Sequence, residues 1–142
     1  MPEPSKPAGV PPVSDPLGVA LHALRLSGAF YCRTEAAAPW GLELPPLPGC
    51  LMFHVVTSGR CCLEVPEAPP RTLLPGSLVL VPRGAGHVLA DAPGRRAAQL
   101  FALEREMVGE RFEILRLGGG GERATLLCGA VRFDDPAACR LI

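Results

Sequence analysis

The stretch LPGSLVLVPRGAGHVL at residues 74–89 contains the signals that decide the fold. Pro75 and Gly76 predict a turn, residues 77–81 a buried strand, and residues 82–86 a second tight connection. This connection leads directly into another strand at His87. A histidine that follows a corner rich in proline and glycine has a defined position, so His87 is a candidate functional residue.

Similar segments recur on both sides of this stretch. Short runs rich in Val, Leu and Phe alternate with clusters of Pro and Gly, which is typical of a β-sandwich or barrel. The predicted strands are 29–34, 41–44, 51–57, 60–65, 71–74, 77–81, 87–90, 112–117 and 125–133. Residues 98–110 interrupt this pattern, because Leu100, Leu103 and Met107 have helical spacing and predict a helix. The four glycines at 118–121 predict a flexible loop.

The N-terminal part predicts a tail followed by a helix. Residues 1–13 contain five prolines and are expected to be a disordered tail. Asp15 can cap a helix, and Pro16 suits the first helical position because no hydrogen bond is lost there. An amphipathic helix is therefore expected over residues 16–27, with Gly28 as its left-handed stop. Its apolar face consists of Leu17, Ala20, Leu21 and Leu24.

Length and charge limit the possible functions. The chain has 142 residues with 14 basic and 14 acidic side chains, which indicates a single neutral domain. Domains that bind DNA through phosphates carry an excess of Lys and Arg, so these residues alone are not expected to bind DNA. No signal peptide or membrane-spanning apolar run is visible, which predicts a cytoplasmic protein with no membrane partner. The six cysteines are then expected to be free thiols or metal ligands.

Residues 51–65 predict a β-hairpin with a two-residue turn at 58–59. This pairing would place four side chains on one interior face: His54, Val56, Cys61 and Leu63. Cys62 would then face solvent. His54 and Cys61 would be diagonal neighbours roughly 7 Å apart, close enough to bind one metal ion.

The order of these segments resembles a known family. PGSLVLVPRGAGH at 75–87 is similar to the second cupin motif, and the whole series resembles the cupin-type ligand-binding domain of AraC-type transcriptional regulators. The other matching segments are DPL at 15–17, APWGL at 38–42, FHVV at 53–56, GRCCL at 59–63, the glycines from 118, and LLCGAVRFD at 126–134. The resemblance implies a mainly β fold over residues 14–135, a cupin-like double-stranded β-helix or jelly-roll barrel with an N-terminal amphipathic helix.

The resemblance also implies a metal site. The first motif of metal-binding cupins supplies two histidines and a glutamate, and the second motif supplies one histidine. His54 and His87 fall on two of these positions, whereas Val56 and Cys61 occupy the other two. Iron and manganese oxygenase sites rely on nitrogen and oxygen ligands, so this departure argues against that chemistry. A set of His54, Cys61 and His87 suits zinc better, and a fourth sulfur would close a structural site.

Cys128 is the candidate fourth ligand. Strict alternation places Cys128 on the same side as Arg132, so a bulge at Gly129 would be needed to turn the thiol inward. A packed or surface role is the alternative for all four candidate ligands, since free cysteines are often buried in any case. The remaining histidine and cysteines are interpreted as structural or incidental: His22, Cys32, Cys50, Cys62 and Cys139. Trp40 is expected to be a core or lid anchor.

We interpret the domain as a sensor rather than an enzyme. The sequence has no GxSxG elbow, no paired catalytic carboxylates and no P-loop, and only His54 and His87 could act as general acid or base. A sensor needs an apolar interior with a few polar anchors. The expected lining is Met52, Val56, Leu63, Val79, Val81 and Leu127. A stand-alone metal-dependent cupin enzyme, a dioxygenase or isomerase, is the alternative.

The resemblance implies partners as well. In AraC-type regulators a pair of helix-turn-helix units follows the cupin, and no recognition helix is present in these residues. Residues 136–142 are interpreted as the start of a linker to such an absent C-terminal domain. We therefore expect a small-molecule effector, a homodimer, and contact with DNA only through that further domain.

Overall fold

The fold is built almost entirely from β-strands. The computed structural model describes residues 26–133, which contain eleven strands and one 3₁₀ turn at Leu100–Ala102. The strands are β1 Leu26–Ala37, β2 Gly41–Leu44, β3 Cys50–Ser58, β4 Cys61–Glu64, β5 Arg71–Leu73, β6 Leu78–Val81, β7 His87–Ala90, β8 Ala98–Gln99, β9 Arg105–Met107, β10 Phe112–Gly118 and β11 Arg123–Phe133.

These strands form two sheets that enclose one core. The first sheet has the order β6-β3-β11-β1-β10-β9, and the second has the order β5-β4-β7-β2-β8. Most neighbours pair antiparallel, while β1 pairs with β10 and β2 with β8 in parallel. The mainly β fold expected from the sequence is confirmed.

The core follows from the alternation of side chains along each strand. Met52, His54 and Val56 of β3 are buried, and so are Ala124, Leu126 and Cys128 of β11. Their neighbours in sequence point away from the core, so one face of each strand packs against the opposite sheet. Each fully buried leucine contributes roughly 2 kcal/mol through the area it removes from water. Trp40 belongs to this core cluster, as expected.

The predicted hairpin of residues 51–65 is wrong. β3 pairs with β11 and β6, whereas β4 pairs with β5 and β7 in the other sheet. The chain crosses between the sheets because the β3–β11 register shifts beside Thr57, and Gly59 then adopts a φ of +71°. His54 and Cys61 are therefore both buried but lie on different sheets.

The structure also corrects the facing of two predicted side chains. Cys62, expected to face solvent, is buried because β4 lies inside its sheet, where Cys62 pairs with both Thr72 and Ala90. Leu127, expected to line the interior, is exposed, because Leu126 and Cys128 take the inward positions of β11.

Cys128 reaches the interior without the predicted bulge at Gly129. The β11–β3 pairing is continuous from Leu126 to Arg132, and Cys128 shares the inward face with Leu126. Arg132 has the same parity but is exposed near the end of the strand. A side chain at Gly129 would meet the Phe53 ring at 2.4 Å, so glycine lets these strands pack under an aromatic ring.

The predicted helix over residues 98–110 is also wrong. β8, the 3₁₀ turn and β9 occupy this segment, and β9 pairs antiparallel with β10. Leu100 and Leu103 pack against the core, but Met107 is exposed. The three residues therefore do not form one buried face, despite their helical spacing. Pairing with a neighbouring strand has overridden a weak local preference.

Two other expectations concern glycines and the N-terminus. Gly118 belongs to β10, and the N–H groups of Gly119 and Gly121 donate to the carbonyls of Ala37 and Ala38, so the glycine run is hydrogen-bonded to the β1–β2 connection.

Residues 1–25 and 134–142, including most of the predicted helix, the tail and the linker, lie outside the described residues. Residues 26–28 belong to β1, so the helix does not extend to 27. No helix within residues 26–133 is long and apolar enough to cross a membrane.

Candidate functional site

A row of polar side chains crosses the inner face of the six-stranded sheet. His54 on β3 pairs in register with Cys128 on β11, Cys128 with Cys32 on β1, and Cys32 with Glu113 on β10. All four side chains are buried. Thr34 is also buried, and its hydroxyl lies 3.9 Å from the sulfurs of both Cys32 and Cys128. The core thus contains a continuous row of polar side chains, which indicates a candidate site.

The two candidate histidines contact each other across the sheets. His54 Nε2 and His87 Nε2 are 2.7 Å apart, and the rings meet edge to face. His87 comes from β7, where the turn before it delivers its ring to the interior, as the position after the Pro/Gly corner predicted. Only 1% of His54 and 4% of His87 is exposed to solvent.

The hydrogen bonds determine where the imidazole protons are. The Ala85 carbonyl can only accept, so His87 Nδ1, at 2.8 Å, donates its proton to it. Burial lowers the pKa of His87, so the ring is neutral at pH 7 and its Nε2 carries a lone pair. His54 Nε2 must therefore donate to His87 Nε2. Burial, with a smaller contribution from His87, lowers the pKa of His54 to about 3, so His54 is neutral and its Nδ1 is a bare acceptor.

The other end of the polar row is an ion pair. The Arg105 guanidinium on β9 lies 3.2 Å from Glu113 Oε2, and the same guanidinium lies over the ring of Phe101 at 5.5 Å. Oε2 takes part in this ion pair but forms no hydrogen bond. Arg105 therefore links the buried carboxylate to the 3₁₀ turn that contains Phe101.

A cavity of about 60 Å³ lies between these two ends. Its lining is almost wholly apolar, with His54 and Glu113 among the few polar residues, and Phe101 forms part of its wall. The volume is far below the ~300–1,000 Å³ of pockets for drug-sized ligands. The cavity can hold a few water molecules or a ligand of a few heavy atoms. Its lining comprises Phe30, Cys32, Thr34, Leu42, Leu44, Leu47, Met52, His54, Leu100, Phe101, Glu113, Cys128, Gly129 and Ala130.

Comparison with known proteins agrees with this architecture. A family model described as cupin matches residues 15–142. The chain belongs to the cupin family. A search of curated protein sequences gives no significant match to this cupin.

Two solved structures are similar to this cupin. One is the Cupin_2 domain of an XRE-family transcriptional regulator from Enterobacter cloacae, with 15% identity, a TM-score of 0.42, and coverage of 71% of this chain and 77% of that chain. The other is the DMSP lyase DddQ from Ruegeria pomeroyi DSS-3, with 17% identity, a TM-score of 0.38, and coverage of 76% of this chain and 38% of that chain.

The four predicted zinc ligands are only partly brought together. His54 and His87 are in contact, and Cys128 lies beside His54 in register. Cys61 faces the core from the other sheet, close enough to raise the pKa of Cys128 slightly. Within residues 26–133, no group of three His, Cys, Asp or Glu side chains is close enough to hold a metal ion.

The donor set of this cupin, as described, does not fit a resident metal. Two imidazole nitrogens are half of a tetrahedral set, and Val56 offers no donor at the position of a family histidine. The hydrogen bond from His87 Nδ1 to a backbone carbonyl is the arrangement that usually orients a metal-binding imidazole. Burial raises the pKa of both Cys61 and Cys128 to about 12, so neither thiol is ionised at pH 7 in the absence of metal. The zinc site stays a prediction.

Metal analysis of the purified cupin tests this prediction. Zinc held by the four residues would give about one ion per chain, and His87→Ala would lose it because the imidazole ligand is gone. Cys50→Ser removes a half-buried thiol outside the set and should leave the zinc content unchanged. Protein that is fully stable with far less than one zinc per chain would contradict the prediction.

Glu113 and Arg105 were missed by the sequence analysis. A glutamate in a strand is usually assigned to the solvent face, since charged residues are rarely fully buried. The alternation along β10 did contain a signal that Glu113 is buried. Glu113, Leu115 and Leu117 lie on the same face of the strand, whereas Arg116 lies on the opposite face. Cys32 and Thr34 were likewise treated as incidental or not considered, although they lie in the polar row.

Proposed function

We propose that this cupin domain is the effector-sensing domain of an AraC-type transcriptional regulator. The observation that carries the proposal is the interior cavity, whose lining is almost wholly apolar. A predominantly apolar cavity with a few polar residues in its wall is typical of small-molecule binding. The domain would bind its effector inside the barrel and release it unchanged.

The geometry gives less support to catalysis. His54 and His87 are the only general acid or base candidates that the sequence offered, and each is engaged by the other. Burial keeps both rings neutral at pH 7, with pKa values below the usual range, so neither is poised to transfer a proton near neutrality. The alternative, a metal-dependent cupin enzyme, is favoured by one observation, the oriented Nε2 of His87.

A sensing domain of this type would also couple effector binding to transcription. Leu100 and Phe101 line the cavity, and Phe101 also contacts Arg105, so an occupant would touch a segment that reaches the surface. A change in this segment on binding could alter a homodimer contact and, through it, a DNA-binding domain. The homodimer, the DNA-binding domain and the cytoplasmic location remain proposals that rest on the family resemblance.

Reversible binding of an uncharged small molecule should raise the melting temperature of the domain. Binding to the folded state alone stabilises it by mass action, by about 2.7 kcal/mol at one hundred times the Kd. The measurement is a melting curve in increasing acetamide, 2-propanol or acetone, with the same samples checked for turnover.

A cavity-filling variant makes this test specific. Ala130→Leu places a larger side chain in the cavity and should abolish the stabilisation, whereas Ala68→Leu lies outside the cavity and should not. Turnover of a bound molecule that depends on His54 would overturn the sensor assignment and favour the enzyme.

A further inference from the structure

The outer face of the six-stranded sheet is rich in apolar side chains. Side chains alternate along each strand, so those that lie between the buried residues point away from the core. A sheet that packs one face on a core usually carries polar side chains on its other face. Most outward side chains here instead form one apolar face: Tyr31 on β1, Leu51, Phe53 and Val55 on β3, Leu78 and Leu80 on β6, Phe112 and Ile114 on β10, and Leu127 and Val131 on β11.

The strand register brings the members of this apolar face together. Phe53 pairs with Leu80 on one side and with Gly129 on the other. Gly129 in turn pairs with Tyr31, and the rings of Tyr31 and Phe53 meet beside this glycine with their centroids 6.2 Å apart. Leu80 is 56% exposed and Tyr31 is 39% exposed, so residues 26–133 leave this part of the sheet largely uncovered.

The charged side chains of the outer face lie together at one corner. Arg116 forms ion pairs with Glu35 and Glu106, and Arg33 forms an ion pair with Glu35. The rest of the outer face therefore presents mainly apolar surface. A large contiguous apolar patch on a folded domain usually marks a contact with another segment or another protein.

The chain enters this sheet beside the apolar face. β1 begins at Leu26, whose backbone pairs with that of Phe133. Val131, a member of the apolar face, is two residues away along β11, which is roughly 7 Å. The segment that follows Phe133 leaves from the same end of the sheet, but it opens with the sequence DDP, which does not suit an apolar surface.

The sequence before Leu26 matches the apolar face in pattern and in length. Leu17, Ala20, Leu21 and Leu24 recur at the spacing that predicts one apolar side of a helix. A helix of residues 16–25 would be about 15 Å long. The outward residues of β3, from position 51 to position 55, extend over roughly 13 Å.

We propose that residues 16–25 cover the apolar face and bury their leucines against Tyr31 and Phe53. The segment is joined to β1, so its effective concentration at the face is on the order of millimolar, which favours it over a second copy of the chain. Burial of apolar area on both sides supplies the driving force. This contact does not depend on the proposed function, because it involves the outside of the domain and not the cavity.

Nuclear Overhauser contacts in the full 142-residue chain test the proposal. With labelled leucine methyl groups, we expect contacts from Leu17, Leu21 and Leu24 to the ring protons of Tyr31 and Phe53. A mixture of labelled and unlabelled chains should show that these contacts lie within one chain. The absence of any contact from the segment to either ring would overturn the proposal. Contacts to the rings that arise only between chains would overturn it too, since the occupant would then be a second copy.

Two substitutions at neighbouring positions complete the test. Leu21→Glu places a carboxylate on the predicted apolar side of the segment and should abolish the contacts to both rings, because burying that charge is costly. A soluble gadolinium chelate should then broaden the ring signals of Tyr31 and Phe53 more strongly than in the unmodified protein. His22→Glu introduces the same group one residue later, on the side expected to face solvent, and should leave both measurements unchanged. Contacts that persist in Leu21→Glu, or that are lost equally in both variants, would overturn the proposal. The unmodified protein decides the question if Leu21→Glu does not fold.

Discussion

Replacing Arg105 with alanine is expected to lower the free energy of unfolding by about 3 kcal/mol. The Glu113 carboxylate would then remain buried without the counter-charge of Arg105. Removing one partner of a fully buried ion pair costs about 3–5 kcal/mol, and the lower end applies because one quarter of the Arg105 side chain is exposed. Urea denaturation monitored by circular dichroism measures the change.

Two variants show whether the loss of stability comes from the unpaired charge of Glu113. Arg105→Ala combined with Glu113→Leu removes both members of the pair and should recover most of the lost stability, because no unpaired charge is left inside. Arg116→Ala removes an arginine that contacts Glu35 and Glu106 on the exposed face, and it should change stability little. Equal losses in Arg105→Ala and Arg116→Ala would contradict the role assigned to the buried carboxylate.

The bounds of several strands could be predicted from the sequence, because the proline and glycine residues that end a strand are a local signal. β2 and β7 have the predicted bounds, Gly41–Leu44 and His87–Ala90, and each lies next to a cluster of turn residues. The family resemblance then supplied the arrangement of the strands. It also brought His54 and His87 to adjacent positions, which the sequence spacing alone does not imply.

Strand pairing could not be predicted in the same way. A Ser-Gly pair between two apolar runs is a strong hairpin signal, yet β3 and β4 lie in different sheets. The crossing depends on the strands with which β3 and β4 pair, namely β11 for β3 and β7 for β4. These partners lie far away in sequence, and no pattern within residues 51–65 indicates them.

The missing half of the candidate site has a physical explanation too. Carboxylates are usually found at the protein surface, so Glu113 was not considered as a buried residue, although it lies on the same face of β10 as Leu115. Glu113 is buried because Arg105, on the adjacent strand β9, supplies the counter-charge. That strand was predicted as a helix, so its pairing with β10 could not be used. The wrong prediction for β9 therefore concealed the burial of Glu113 on β10.

Acid is expected to destabilise the domain well above the pH at which carboxylates titrate. The pKa of His54 is about 3 in the folded state and about 6.5 in the unfolded state. Between these values the unfolded state binds the extra proton, so the free energy of unfolding falls as the pH is lowered through this window and levels off above pH 6.5. At pH 5 the loss from His54 alone is about 2 kcal/mol relative to pH 7.5. His87 adds a loss of the same sign, since burial lowers its pKa as well.

The groups around His54 do not compensate for this effect. The thiols of Cys128 and Cys61 have pKa values raised to about 12, so they stay neutral throughout the window, and the Val79 side chain on β6 is apolar. Chemical denaturation at pH 5.0, 6.0 and 7.5 measures the dependence. Substituting both histidines, His54→Gln with His87→Gln, should remove most of the slope. An unchanged slope in the double variant would show that the buried imidazoles are not what limits the stability of this cupin in acid.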